Sequence, residues 1–232
     1  MFDWIAFDAD DTLWHNEILY AGAQARLREL LSPFAGGKTV DAALYEKEMS
    51  NLALYGYGIK SFTLSMIETA IELSEGQIRG EQVHRIIEFA KEMLAAEVQL
   101  IDDAASTVQQ LSRSHHLMVI TKGDLRDQES KLARCGIRDC FDEIEIVSEK
   151  TSHTYERLMS RYGITPQRFL MVGNSLKSDI LPVVAAGGHA IYIPYHTTWI
   201  HETVDDLLPE RDGYHQLDHL GQLPAWVAAQ KK

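Results

Sequence analysis

Two acidic residues two positions apart, followed by a third and a threonine, stand out near the start of the chain. The apolar segment Trp4–Phe7 leads directly into residues 8–12, which read Asp-Ala-Asp-Asp-Thr. Carboxylates crowded at the end of a buried strand repel one another, so they are unfavourable unless a cation or a reaction uses them. A turn or a helix cap accounts for Asp11, because Asp favours such positions. Asp8 and Asp10 remain as candidates for cation binding or acid–base chemistry.

Three further polar residues follow short apolar segments in the same way. They are Thr121 after residues 117–120, Lys150 after residues 144–147, and Asn174 after residues 169–172. Taken alone, Thr121 is typical of a strand-end hydroxyl and Lys150 of a solvated lysine. Their shared position at the ends of apolar segments is what makes them candidates for one site.

The apolar segments are predicted to be the buried strands of a parallel sheet. Together with residues 4–7 and a fifth segment, 190–193, they are short, mostly apolar and often β-branched. Three segments between them are predicted helices, namely 128–135, 153–162 with Ser152 as its N-cap, and 180–186 with Pro182 in its first turn. This alternation indicates the α/β class, a doubly wound, Rossmann-like parallel sheet. Ligands bind such sheets beyond the carboxyl ends of the strands.

The spacing between strand ends indicates an inserted module. Thr121 and Asn174 are 53 positions apart and enclose two strand–helix steps, whereas Asp8 and Thr121 are 113 positions apart with no clear strand between them. Since one such step needs only about 30 residues, the excess predicts a second domain. We expect residues 1–15 and 98–232 to form the α/β core and residues 16–97 to form a helical insert. Its predicted helices are 16–31, 40–54, 61–73 and 81–97, the last with an apolar face of Val83, Ile86, Ile87, Ala90 and Leu94.

The net charge and the cysteine count indicate which partners and which cellular compartment suit the chain. The chain has 232 residues, with 34 acidic against 22 basic side chains and a net charge of −12. Such a charge disfavours binding to nucleic acid or to an anionic membrane. The two cysteines, Cys135 and Cys140, lack zinc-site spacing and are too few for a disulfide framework, which predicts a cytoplasmic protein. No secretory signal or membrane span is predicted.

The ordered set of motifs resembles the haloacid dehalogenase-like hydrolase superfamily. The first motif matches Asp8-x-Asp10-x-Thr12-Leu13, the second matches Thr121, the third matches Lys150, and the fourth matches the segment from Gly173-Asn174-Ser175 to Ser178-Asp179. All four occur in the family's order across the whole chain. The helical insert resembles the family's first type of cap domain. The closest branch by pattern contains phosphoglycolate and nucleotide phosphatases.

The resemblance implies a Mg²⁺-dependent phosphatase that acts on a small phosphorylated metabolite. Asp8 would attack phosphorus and form an aspartyl-phosphate, which splits one difficult step into two. Asp10 would protonate the leaving alcohol and later deprotonate the attacking water. Thr121 and Lys150 would hold the phosphoryl oxygens. The metal would be held by Asp8, the backbone carbonyl of Asp10, Asn174 and, through water, Asp179, which could instead hold Lys150.

Some residues depart from this pattern or leave alternatives open. Asn174 stands where related phosphatases usually carry Asp, which lowers the negative charge available to the metal. Lys122 and Lys60 are candidate substrate contacts, although Lys122 could be solvated and Lys60 could belong to an ordinary turn. His196 and His201 are predicted to be structural or rim residues.

The alternative functions are a catalytically weak binding or regulatory protein, a haloacid dehalogenase and a phosphomutase. Similar dehalogenases use an aspartate nucleophile without a metal and without an acid at the second position, so Asp10 favours phosphoryl chemistry. The sequence indicates neither the identity of the substrate nor the oligomeric state.

Overall fold

The computed structural model describes residues 2–195 and 213–230, which form two compact units. Within these ranges, the α/β unit comprises residues 2–17, 98–122, 130–195 and 213–230. The helical unit comprises Ile18–Glu97 and Gly123–Glu129. The segment 123–129, which the sequence prediction placed in the core, thus groups with the helices. His196 and His201 lie outside the described residues.

A six-stranded parallel sheet organises the α/β unit. Its strands are β1 (Trp4–Phe7), β2 (His116–Lys122), β3 (Glu143–Val147), β4 (Phe169–Gly173), β5 (His189–Tyr192) and β6 (Tyr214–Gln216). They lie in the order β3-β2-β1-β4-β5-β6, and every neighbouring pair is parallel. The chain therefore moves outward from β1 on one side and then restarts beside β1 on the other. Such a reversal places a ligand-binding crevice at the carboxyl ends of β1 and its neighbours.

Apolar side chains cover both faces of the sheet, which confirms the predicted doubly wound class. Along β1, Ile5 and Phe7 enter one core cluster and Ala6 enters the other, as the two-residue period of a strand requires. The first cluster includes residues of α5 (Ala104–Leu111), α6 (Leu125–Arg134) and α9 (Leu223–Ala229); the second includes residues of α7 (Ser152–Arg161) and α8 (Leu181–Ala185). Both faces are buried because helices pack on each side of the sheet.

Four helices and their own apolar core form the rest of the helical unit. The helices are α1 (Glu17–Leu31), α2 (Gly37–Tyr55), α3 (Ile59–Leu73) and α4 (Gly80–Ala95). On α4 the buried residues are Ile86, Phe89, Ala90 and Met93, whereas Ile87 is exposed. The prediction was therefore right for Ile86 and Ala90, and Leu94 also packs against the core, but it was wrong for Ile87, because Phe89 and Met93 extend the buried stripe on the adjacent side.

Helix boundaries differ from the predictions at three points near the site. The helix α6, predicted at 128–135, begins three residues earlier, at Leu125. The N-cap of α7 is Thr151, whose hydroxyl accepts the backbone N–H of Thr154, rather than Ser152. The predicted helix at 180–186 begins earlier, with a single π-helical turn at Leu176–Ile180 that continues into α8. Pro182 lies in the first turn of α8, where its missing N–H is tolerated.

The elements that the sequence did not predict are short. They are α5, β6 and α9, of eight, three and seven residues. Among the described residues, none of the helices combines the length and the apolarity needed to cross a bilayer. Cys135 is buried and Cys140 is half-buried, and both are free thiols that pack on the first core cluster.

We expect Leu170→Ala to destabilise the protein by roughly 2–5 kcal/mol, because it opens a cavity in the central strand β4. Leu170 is fully buried between β1 and β5. The matched control is Leu125→Ala, since Leu125 is 60% exposed, and it should change the free energy of unfolding by less than about 0.5 kcal/mol. Urea unfolding followed by circular dichroism measures both changes, and equal effects would contradict the assigned core.

Candidate active site

A buried lysine joins the ends of three strands. Lys150 lies between β3 and α7, and its Nζ contacts Asp8 Oδ1, just after β1, and Asp179 Oδ1 at 2.6 Å, in the π turn after β4. The Lys150 side chain is 1% exposed. Burial by itself would lower the pKa of Lys150, but the carboxylates of Asp179 and Asp8 outweigh it and raise the pKa above its usual value. The two carboxylates thus favour the ammonium form of Lys150 at this edge of the sheet.

Asp8 continues the pairing of β1 with β4 beyond the strand. Its backbone N–H donates to the Val172 carbonyl at 2.9 Å, which fixes the carboxylate at the carboxyl edge. Burial raises the pKa of the Asp8 carboxyl to about 7, and the negative charge of Asp179 adds to this effect while Lys150 opposes it. Since one ammonium faces two carboxylates, additional positive charge would favour the ionised form of Asp8.

Asp179 is held in one position by the loop that precedes it. Its Oδ2 accepts the backbone N–H of Ser175 at 3.1 Å, and the Ser175 hydroxyl accepts the N–H of Ser178 at 3.0 Å. A Cβ at Gly173 would fall 2.3 Å from Asp179 Oδ2, so only glycine leaves room for this carboxylate. Asp179 thus contacts Lys150 directly, which is one of the two roles that the sequence left open.

Oxygen atoms of Asp8 and Asn174 converge on one hydroxyl. Thr12 Oγ1 lies 3.2 Å from Asp8 Oδ2 and 3.1 Å from Asn174 Oδ1. Asp8 and Asn174 thus bring a carboxylate and an amide oxygen to the same place, and oxygen ligands of this kind suit Mg²⁺. Within the described residues, no group of three or more His, Cys, Asp or Glu side chains could hold a metal. The donor set therefore fits a Mg²⁺ ion held by Asp8, Asn174 and backbone or substrate oxygens.

The Asp10 carboxylate has partners of its own, separate from those of Asp8. Its Oδ1 accepts the Trp14 indole N–H at 2.7 Å and the Lys131 ammonium at 3.1 Å, and Lys131 also lies 3.4 Å from Oδ2. Lys131 Nζ donates in addition to Asn16 Oδ1 at 2.8 Å. The structure therefore gives the two aspartates of the first motif different environments. The sequence carries no signal for Trp14, Asn16 and Lys131 as site residues, because nothing in their spacing marks them.

Asp11 acts as a cap, as its sequence context predicts. Its carboxylate accepts the backbone N–H groups of Asn16 and Glu17 at the start of α1, at 2.9 and 3.1 Å. Its φ of +62° is a left-handed conformation that Asp tolerates in turns. Burial raises the pKa of the Asp11 carboxyl to about 6, although its backbone hydrogen bonds oppose the shift.

The remaining predicted site residues fall into two groups. Thr121 is buried near the carboxyl end of β2, and the neighbouring Lys122 donates to Ser178 Oγ at 2.9 Å, so Lys122 belongs to the same edge of the sheet. Lys60 lies in the first turn of α3 in the helical unit, where its ammonium pairs with Asp124 at 3.0 and 3.1 Å. The structure thus links Asp8, Lys150, Asp179 and Asn174 by hydrogen bonds and places Thr121 and Lys122 at the carboxyl end of β2. The roles of all these residues, and that of Lys60, stay predictions.

Comparison with known proteins assigns the family. The profile of the haloacid dehalogenase-like hydrolases matches residues 2–187. A solved haloacid dehalogenase-like hydrolase from Xanthomonas campestris is 37% identical, with a TM-score of 0.89 over 98% of this chain and 91% of that one. A 2-haloacid dehalogenase from Pseudomonas syringae is 22% identical, and its superposition covers 99% of this chain and 100% of that one with a TM-score of 0.64. The two proteins therefore share a fold.

Curated relatives include phosphatases. Glyceraldehyde 3-phosphate phosphatase of Methanothermobacter thermautotrophicus is 38% identical over 87 residues, which span 35% of this chain but only 38% of that enzyme. Pyrimidine 5'-nucleotidase YjjG of Escherichia coli is 22% identical over 205 residues, covering 84% of this chain and 87% of the enzyme. The profile match and the Xanthomonas relative cover most of the chain, and the strand-end residues match the expected motifs. This chain belongs to the haloacid dehalogenase-like hydrolase family.

Proposed function

We propose that this protein is a Mg²⁺-dependent phosphatase that hydrolyses a small phosphorylated metabolite through an aspartyl-phosphate on Asp8. The observation that carries the proposal is the pairing of two neighbouring aspartates with two different lysines. Asp8 contacts Lys150, whereas Asp10 contacts Lys131. Two carboxyl groups in different environments can take the roles of nucleophile and of proton carrier. The phosphatases among the relatives support the same reaction class.

In the first half-reaction an Asp8 oxygen would attack phosphorus while the bond to the leaving oxygen breaks. The transferring phosphoryl group spreads negative charge over its oxygens, so a positioned cation stabilises the transition state. Lys150 is buried and already contacts the nucleophile, which suits it to this role. Thr121, buried near the end of the adjacent strand β2, is the proposed hydroxyl donor to the same oxygens.

Asp10 would give a proton to the departing oxygen and would then accept a proton from the water that hydrolyses the aspartyl-phosphate. One carboxyl group can perform both transfers because the second half-reaction reverses the proton flow of the first. Asp8 cannot carry this proton while it is bonded to phosphorus. Its carboxylate is held by contacts with Trp14 and Lys131, whereas Asp8 contacts Lys150.

Asp8, Asn174 and the backbone carbonyl of Asp10 are the proposed ligands of the magnesium ion. When bound, the cation would reduce the repulsion between the Asp8 carboxylate and the phosphate dianion. Asp179 contacts Lys150 and the Ser175 N–H, so its proposed part in metal binding would be through water.

The dehalogenase and the regulatory alternatives have less support. Asp10 is held by two donors at the position where similar dehalogenases lack an acid. A binding protein without catalysis would need neither the buried Lys150 nor the paired Asp10. Asn174 is the one departure that weakens the site, and its oxygen still lies beside Asp8 through Thr12. We also propose a cytoplasmic location and no nucleic-acid partner, on the basis of the free cysteines and the net charge of −12.

Asp8→Asn should abolish turnover of an aryl phosphate in the presence of Mg²⁺, with a loss of at least about 10⁴-fold, because the amide is a poor nucleophile. The fold should persist, since Asn keeps the size of Asp. Asp139→Asn is the matched control, because Asp139 is exposed and lies outside the site. Phosphate release measures both variants, and near-normal turnover of pure Asp8→Asn would exclude Asp8 as nucleophile.

Asn174→Asp should tighten Mg²⁺ binding by roughly tenfold, because a carboxylate attracts a divalent cation more strongly than an amide oxygen does. Turnover should stay flat or fall, since a further negative charge near Asp8 disfavours its ionised form. Calorimetric titration of Mg²⁺ into both proteins measures the two dissociation constants. If the variant binds the metal no better than the parent, this side chain is not a ligand.

The acid limb of the profile of kcat/KM against pH should depend on the metal. Asp8 must be ionised to attack, and burial raises its pKa to about 7, so activity at limiting Mg²⁺ should fall as the pH drops below about 7. Saturating Mg²⁺ favours the carboxylate and should move this limb to lower pH. Steady-state rates at two Mg²⁺ concentrations test this expectation, which a metal-independent limb would contradict.

A further inference from the structure

We propose that Lys131 is a positioning residue for proton transfer by Asp10, an inference that rests on the proposed phosphatase function. Lys131 lies on α6, outside the four motifs that mark the family resemblance. It is 6% exposed, and its ammonium contacts both carboxylate oxygens of Asp10 and the side chain of Asn16. The three residues belong to the α/β unit.

The burial of this lysine has no explanation in packing alone. An ammonium group removed from water is strongly destabilising unless charged or polar partners replace the water. Here the polar partners that replace water around the Lys131 ammonium include the side chains of Asp10 and Asn16. The Lys131 ammonium therefore holds the Asp10 carboxylate in a defined place, because separating the two would leave a buried charge without this partner.

Two donors converge on the same oxygen of Asp10. Trp14 Nε1 donates to Oδ1 at 2.7 Å and Lys131 Nζ donates to it at 3.1 Å. The indole N–H is a neutral donor, whereas the ammonium supplies charge as well as direction. The two contacts restrict the rotation of the carboxylate, and of these two donors it is Lys131 that carries a positive charge.

The charge of Lys131 matters at the step in which Asp10 loses its proton. In the first half-reaction the bond between Asp8 and phosphorus forms, the bond from phosphorus to the leaving oxygen breaks, and the Asp10 proton moves to that oxygen. Asp10 is left as a carboxylate, and the Lys131 ammonium balances its charge. In the second half-reaction water attacks phosphorus, the bond to Asp8 breaks, and Asp10 recovers a proton from the water.

The test exploits substrates that differ in their need for a proton. An alkyl phosphate expels a poor leaving group that must be protonated, whereas 2,4-dinitrophenyl phosphate expels a stable anion. Because kcat/KM reports only the steps up to aspartyl-phosphate formation, comparing it between the two esters isolates the transfer from Asp10.

We expect Lys131→Met to lower kcat/KM for the alkyl phosphate by about 100-fold and for the dinitrophenyl ester by less than about threefold, since general acid catalysis contributes about 10²–10⁴-fold. Lys131→Arg, which keeps the charge, should recover most of the lost activity. Lys91→Met is the matched control, because Lys91 is exposed on α4 in the helical unit, and it should change neither value.

Non-additivity provides a second readout. In an Asp10→Asn protein, Lys131→Met should cause little further loss on the alkyl phosphate, because the group that Lys131 positions is already absent. Lys131→Gln, whose amide can still donate to Asp10, is the second variant if the Met variant does not fold. It should show the same selectivity between the esters with a smaller loss.

The outcomes separate this inference from the function on which it rests. Equal losses on both esters, or no loss on either, would overturn the role of Lys131 while leaving the phosphatase assignment intact. Full additivity with Asp10→Asn would do the same. If the wild-type protein hydrolyses neither ester with Mg²⁺, the proposed function fails and this inference fails with it.

Discussion

One buried ammonium group shared by two carboxylates is the interaction on which the site depends. Lys150 comes from the loop after β3, Asp8 from the end of β1 and Asp179 from the π turn after β4. No two of these segments are adjacent in sequence, so the sheet order must bring them together. Removing Lys150 would leave two buried carboxylates without their common partner, which is unfavourable enough to reorganise the edge. The order β3-β2-β1-β4 is therefore the constraint that makes the chemistry possible.

The local backbone serves this arrangement at each strand end. Gly173 leaves the space that the Asp179 carboxylate occupies, and Asp11 takes a left-handed conformation in the turn that follows Asp8. Thr12 returns to within hydrogen-bond distance of Asp8 and Asn174. A π turn, a form often found at functional sites, carries Asp179. The close approach at Gly173 and the π turn thus both serve Asp179, the carboxylate that shares Lys150 with the proposed nucleophile.

The strands and most of the site could be predicted because their signals are local. Asp8, Thr121, Lys150 and Asn174 each follow or end a short apolar segment, and parallel strands bring such ends to one edge. Lys131 could not be found in this way, because a lysine on an amphipathic helix normally indicates a solvated position. Its burial arises only when α6 packs beside the loop after β1. The apolar face of α4 was predicted only in part for a related reason: two overlapping apolar stripes share Ile86 and Ala90, and tertiary packing selects the one with Phe89.

In the proposed reaction two successive displacements occur at phosphorus, the first by Asp8. Each in-line displacement inverts the configuration at phosphorus, so two of them restore it. The most direct measurement is the stereochemical course of hydrolysis for an aryl phosphorothioate made chiral with ¹⁸O and hydrolysed in ¹⁷O-labelled water. An aspartyl-phosphate mechanism predicts overall retention of configuration. Overall inversion would show that water attacks the substrate directly, and it would contradict the role assigned to Asp8.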